Sequence, residues 1–443
     1  MQEDTFPAAE KILSDIENVL KKDTSLKSFE IVPAEDNENK SPVFHQEECL
    51  GLASWCVQPL YCYAYRRLLE HRRNRHRRED PSNVARWLLG ALLLNPDVAT
   101  FWNMRRELVR CHKLDASEEL AFTRLVLHQK PKCFEAFAYR RWLLPYILDA
   151  KGKNYDPIAA ESPLCAEADV ARTCADRYAN NYHAWSHRRY VMTLRESRGY
   201  THPTLEAEWK SSLAWCQRHV SDYSGHAYRQ FLLRKCVLET EASSKEDFLE
   251  YTNTADYRQR CDAVLAYVSG VLSENPHEKE SEDSTTLTRD DTTCRTLDML
   301  HGKSHPGCTS RLESQACFHA LSYWIEESMA NEDSIRMYND HEALWCHRRY
   351  LAHLLLRLVE SYKMYSTYKA GVVDDSCRIR PLELGDNVDG RNESKGNNIQ
   401  APLVKAFLDR TREIVELARK RDAYERILVE RFQRFLGNIG LEL

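Results

Sequence analysis

The sequence predicts an all-α chain of stacked helical hairpins, an αα-solenoid, on three observations. Glycine (14) and proline (15) are sparse in 443 residues, which withholds the tight-turn punctuation that an all-β chain needs. Leu, Val, Ala, Trp and Phe recur at three- and four-residue spacing over long stretches, the period of a helix with one buried face. One short pattern, an aromatic followed three positions later by Arg-Arg or Arg-Gln, returns along most of the chain, as in a repeat architecture.

Taken in order, residues 1–45 read as a flexible lead-in with one amphipathic helix around Ala8–Leu20. Hairpin repeats follow over 46–272. Their clearest copies carry Trp102 with Arg105 and Trp185 with Arg188; degenerate copies carry Phe137 with Arg140 and His226 with Arg229. A weak copy around Tyr63 and Arg66 stands upstream. The first arginines are spaced 35, 48 and 41 residues apart, which suits one hairpin each, and the next, Arg348 beside Trp345, comes 119 later. An insertion explains that gap: 273–311 is acidic, Ser/Thr-rich and nearly free of large apolar groups, as in a disordered segment. The repeat carrying Trp345 occupies 312–370, a second disordered loop 371–400, and a closing helical pair 401–443. First helices of the hairpins are expected at Val84–Leu94, Glu118–His128, Glu167–Tyr178 and Leu205–Val220, with the motif on each second helix. Asn95-Pro96, Ser221 or Asp222, and Asn339 or Asp340 serve as candidate helix starts.

Val98, Phe101, Trp102, Arg105, Leu108 and Val109 fall on one helical stripe, so an arginine lies within an apolar face. A guanidinium there needs its donors paired. Each first arginine should therefore reach carbonyls or a carboxylate on a neighbouring helix while its stem packs on the tryptophan, locking adjacent hairpins together.

Composition narrows the function classes. With Lys+Arg 62 against Asp+Glu 67 and a net charge of −5, no global field favours nucleic acid or a membrane surface. The basic run at 71–78 reads as a solvated helix end. No apolar run nears the ~20 residues of a membrane span, so no transmembrane segment is expected. Fifteen cysteines without a secretory leader read as reduced thiols of a cytoplasmic protein, and without paired Cys/His spacing no metal site is expected in this chain. Cys216 and Cys346, each beside a tryptophan, read as small core residues. No catalytic constellation can be argued from spacing.

The phased pattern Asn181-Tyr-His-Ala-Trp185-Ser-His-Arg188-Arg189, with its copies, resembles the protein prenyltransferase α-subunit repeat, and the stretches Leu52-Ala-Ser-Trp-Cys-Val and His219-Val-Ser-Asp-Tyr-Ser-Gly resemble the family's orphan α-type chains. The resemblance implies a right-handed superhelical crescent wrapped around a β subunit that holds the zinc and the isoprenoid pocket. It implies a regulatory or scaffolding α-type subunit of a geranylgeranyltransferase, with the β subunit of the Rab geranylgeranyltransferase type as partner. The acceptor would be a small GTPase or SNARE-type protein with a C-terminal cysteine. Tyr182 and His183 match family positions near the peptide end of the shared cleft. Asn180 stands where the farnesyltransferase-type subunits carry a lysine beside the leaving diphosphate, and a neutral amide supplies no cation there. A non-enzymatic α-solenoid scaffold, or an escort for prenylated proteins, is the alternative.

Overall fold

The computed structural model describes residues 6–34, 41–74, 79–150, 157–197, 202–238, 259–260, 262–264, 266–267, 311–369 and 401–443. Two compact units divide the chain, Met1–Tyr200 and Thr201–Leu443.

The first unit opens on helix α1 (Ala9–Lys22), whose Ala9, Ile12, Leu13 and Ile16 are buried. Strands β1 (Ser28–Val32), β2 (Val43–Gln46) and β3 (Cys49–Ala53) form a sheet of order β1-β3-β2, parallel between β1 and β3 and antiparallel between β2 and β3. The expected lead-in is thus ordered where it is described, and a small sheet joins the otherwise helical architecture. Only β3 is apolar along its length, in Leu50, Gly51, Leu52 and Ala53, while β1 and β2 face solvent along one side. Such short half-buried strands carry too little alternation to stand out in a sequence.

Hairpins follow: α2 (Ser54–Arg73) with α3 (Pro81–Leu94), then α4 (Ala99–Arg110), α5 (Ala116–Gln129) with α6 (Phe134–Ala150), and α7 (Pro157–Arg177) with α8 (Tyr182–Glu196). The second unit holds α9 (His202–Arg218) with α10 (Tyr223–Leu238), α11 (Arg311–Met337) with α12 (Glu342–Lys369), and α13 (Pro402–Arg419) with α14 (Ala423–Asn438). Several helix starts have a local cause. Asp80, Asp115, Asn181, Asp222 and Asp422 each accept a backbone N–H of the first turn, and proline opens α3 and α13.

Two expected caps fall elsewhere. Asn95 closes α3, its side chain donating to Tyr61 Oη at 2.9 Å, and α4 starts at Ala99 with no side-chain cap. Asp340 takes a left-handed φ of 61° ahead of α12. The expected disordered segment 273–311 lies outside the described residues up to 310, and Arg311 opens α11; the expected loop 371–400 lies outside them altogether. No helix among the described residues is long and apolar enough to cross a membrane.

Candidate functional site

The motif arginines turn inward. Arg105, Arg140, Arg188, Arg229 and Arg348 are all buried, as are Trp102, Phe137, Trp185, His226 and Trp345. Arg105 Nε donates to Glu119 Oε2 at 2.6 Å and its Nη2 to Glu119 Oε1. Arg140 grips both carboxylate oxygens of Glu167 the same way, and Arg229 those of Glu327. The remaining nitrogen turns back to its own hairpin. Arg140 Nη1 reaches Leu120 O and Thr123 Oγ1, both at 2.6 Å, and Arg229 Nη1 reaches Trp209 O at 2.5 Å and Ser212 Oγ at 2.9 Å. Arg348 varies the theme with Glu332, Asn331 and Thr411. The guanidiniums of Arg105, Arg140, Arg229 and Arg348 therefore hold charge-assisted bonds instead of the water they have lost, which is what permits their burial.

Each glutamate also accepts a bond from its own hairpin. Tyr139 Oη donates to Glu119 at 2.7 Å, His187 Nε2 to Glu167 at 2.9 Å, Tyr228 Oη to Glu208 at 2.5 Å and His347 Nε2 to Glu327 at 2.8 Å. All four pairs are separated by 20 residues. Glu119, Glu167 and Glu327 thus fasten α4, α6 and α10 respectively to both helices of the hairpin that follows. Burial works against an ionised Glu167, but Arg140 and His187 outweigh it and hold the carboxyl at about 2. Glu327 lies far below the ordinary carboxylate range for the same reason. Burial lowers the His187 pKa, against the hydrogen bond and charge of Glu167, which raise it.

The Arg188 guanidinium lies 5.7 Å from the ring of its own Trp185. Arg105 lies over Phe122, Arg229 over Trp209 and Arg348 over Phe407, all on first helices. The weak upstream copy is not one of this set, because Arg66 is exposed. At the position where other copies have tryptophan, His226 keeps one of its functions. Its Nε2 donates to Val220 O six residues back at 3.2 Å, as Trp102 Nε1 donates to Pro96 O at 2.8 Å. A small cavity lies beside its ring, lined by Leu213, Cys216, Asn331 and His347 among others. Burial first, then His347, pushes the His226 imidazole down to about 3.

The three cleft candidates stand at the start of α8. Asn180 is exposed with φ 54°, a left-handed turn conformation that asparagine tolerates better than lysine. Asn181 holds the junction, its amide donating to Pro131 O and Cys174 O at 2.7 and 3.1 Å while its Oδ1 caps Ala184. Tyr182 is 57% exposed and its ring centroid lies 3.9 Å from that of His183, which in turn sits 5.4 Å from exposed Phe134. Lys132 Nζ lies 4.7 Å from the Tyr178 ring and 5.5 Å from that of Tyr182. Burial lowers the His183 pKa, and Arg141 and Lys132 lower it further. The structure thus brings Tyr182 and His183 into an open aromatic and cationic cluster, with Asn180 at its edge. Cys216 is buried and Cys346 half-buried, and burial raises the Cys346 thiol. Among the described residues no group of three His, Cys, Asp or Glu side chains is placed to hold a metal ion.

Two stretches, residues 116–147 and 164–195, match the protein prenyltransferase alpha subunit repeat. They coincide with the α5–α6 and α7–α8 hairpins and include Glu119, Arg140, Glu167 and Arg188. The chain carries protein prenyltransferase alpha subunit repeats. Its similarity to the protein prenyltransferase alpha subunit repeat-containing protein 1 of Homo sapiens is 27% identity over 96% of this chain and 98% of that protein. With the protein of that name from Danio rerio it is 29% over 80% and 74%. Geranylgeranyl transferase type-2 subunit alpha of Sus scrofa is 33% identical over 33% of this chain and 24% of its own length.

The glutamates and the Tyr139, His187, Tyr228 and His347 donors are what sequence reasoning missed. The constant 20-residue interval was the available signal. It is hidden because glutamate on an amphipathic helix ordinarily reads as part of the solvated face.

Proposed function

We propose that this repeat protein serves as the regulatory or scaffolding α-type subunit of a heterodimeric protein geranylgeranyltransferase. The reading is carried by its similarity to the alpha subunits of geranylgeranyl transferase type-2, joined to repeat hairpins of the same family. The partner is then a β subunit of the type-2 kind, which holds the zinc and the isoprenoid pocket. In the reaction the deprotonated C-terminal cysteine of a small GTPase or SNARE-type acceptor forms a thioether to the geranylgeranyl carbon as the carbon–oxygen bond to diphosphate breaks. Tyr182 and His183 contribute an aromatic wall beside the acceptor peptide in this reading, and the arginine–glutamate pairs keep the hairpins that present them rigid.

A second reading has an observation of its own. The exposed amide of Asn180 gives a departing diphosphate no positive charge, which favours a scaffold or escort that binds acceptors without accelerating transfer. Co-expression of the full chain with a type-2 β subunit, followed by incubation with geranylgeranyl diphosphate and a cysteine-ended acceptor, separates the two. Co-purification and an acceptor mass gain of one geranylgeranyl group support the enzyme reading. Co-purification without transfer supports the escort, and the absence of a complex removes both forms of the β-subunit reading.

A further inference from the structure

Histidine at position 226, where three other copies of the motif carry tryptophan, changes the hydrogen-bond count of that position. An indole has one N–H and no acceptor, so a single bond satisfies it, as Pro96 O satisfies Trp102 Nε1. An imidazole has two ring nitrogens to satisfy. Val220 O can only accept, so the His226 proton sits on Nε2 and Nδ1 is a bare acceptor. That Nδ1 is buried without a hydrogen-bond partner among the described residues, in a side chain only 7% exposed. A buried acceptor of this kind calls for a donor.

The cavity beside the ring has room for one. It lies between α9, α10, α11 and α12 and offers about 20 Å³ to the centre of a water molecule, above the roughly 10–15 Å³ that one water needs. Exposed Gln217 stands on its wall, so the cavity reaches the surface. Two lining groups on α11 retain hydrogen-bonding capacity. Asn331 Nδ2 gives one of its two N–H groups to Leu344 O at 3.0 Å, and Ser334 Oγ gives its proton to Ala330 O at 2.8 Å while keeping its lone pairs. A wall with an acceptor on α10 and a donor and a second acceptor on α11 complements water, which gives two hydrogens and takes two. A metal ion does not suit it, since among the described residues no three His, Cys, Asp or Glu side chains are placed to hold one.

We infer that this cavity is a binding site for one ordered water, which donates to His226 Nδ1 and is held from α11 by Asn331 and Ser334. The α10–α11 joint is then bridged by water at a position where other repeats use an indole. The site lies within the second unit and does not depend on the prenyltransferase reading.

A crystal structure of the full chain at a resolution that shows ordered water tests the site directly. A water within hydrogen-bond distance of Nδ1 is expected in the wild-type chain, with its loss in His226→Phe, whose ring has no nitrogen to receive it. In solution, nitrogen NMR of the histidine-labelled chain should show His226 Nδ1 unprotonated and shifted from the position of an unbonded ring nitrogen. A dry cavity, a protein side chain found at Nδ1, a protonated Nδ1, or a water that persists in His226→Phe would each overturn the site. The wild-type crystal structure decides alone if His226→Phe does not fold.

Discussion

Glu167 has two partners from two hairpins, Arg140 on one side and His187 on the other, and is almost completely buried. Removing its charge leaves Arg140 buried without its counter-ion, so Glu167→Gln should cost about 3–5 kcal/mol, measured as a shift in denaturant midpoint. Acid should act through the same group. The folded carboxyl lies near 2 against an ordinary 4.5, so its contribution is complete above pH 4.5 and declines as pH falls toward about 2. His226 acts in a higher window. The unfolded imidazole takes up a proton near 6.5 that the folded one refuses until about 3, so stability also declines as pH falls from 6.5 toward 3. His226→Phe should reduce the slope of stability against pH between 6.5 and 4.5, while Glu167→Gln should reduce it below 4.5. Stability measured across both windows checks the assignment, and unchanged slopes would contradict it. The inward arginines were legible because Arg105 and its counterparts interrupt an apolar stripe. Their carboxylates were not, because partner choice is set by the contact between hairpins rather than by the helix that carries each glutamate.

Helices of the repeats were readable from their period, to within a few residues at α3, α5, α9, α13 and α14. Boundaries set by side-chain caps were readable where aspartate precedes the helix, as at Asp222. They were misplaced at Asn95, which serves the preceding helix, because a polar residue between two helices can serve either end. Packing of Trp185 in α8 sets a test for the stripe itself: Trp185→Ala should lower stability by about 3–5 kcal/mol, read by chemical denaturation. An unchanged midpoint would place the indole outside the core. At the N-terminus, α1 packs closely on α3, where a Cβ at Gly90 would come within 2.2 Å of Leu13 Cδ2. Gly90→Val should therefore loosen α1 at a cost of about 1–3 kcal/mol and expose its residues to limited proteolysis. This docking, and the hydrogen bonds from Tyr63 and Trp87 to Glu10, explain why a segment with lead-in composition is ordered.

Across the molecule, each unit relies on neighbour-to-neighbour bonds between successive hairpins, the energetic pattern expected of a repeat protein. Such a framework leaves aromatic side chains exposed at its second-helix ends. Phe134, Tyr182 and Tyr223 stay exposed at three of those ends, each three residues before the aromatic or histidine of its motif. The family was legible in the sequence because the motif recurs in phase. The contact of Phe134 with His183 was not, because it joins residues of two different repeats and only the fold brings them together. The most direct measurement of the proposed role is hydrogen exchange of the full chain with and without a type-2 β subunit. The account predicts slowed exchange around the α6 and α8 starts, at residues 132–142 and 178–190, on formation of a one-to-one complex; exchange unchanged at both segments with the β subunit present would contradict it.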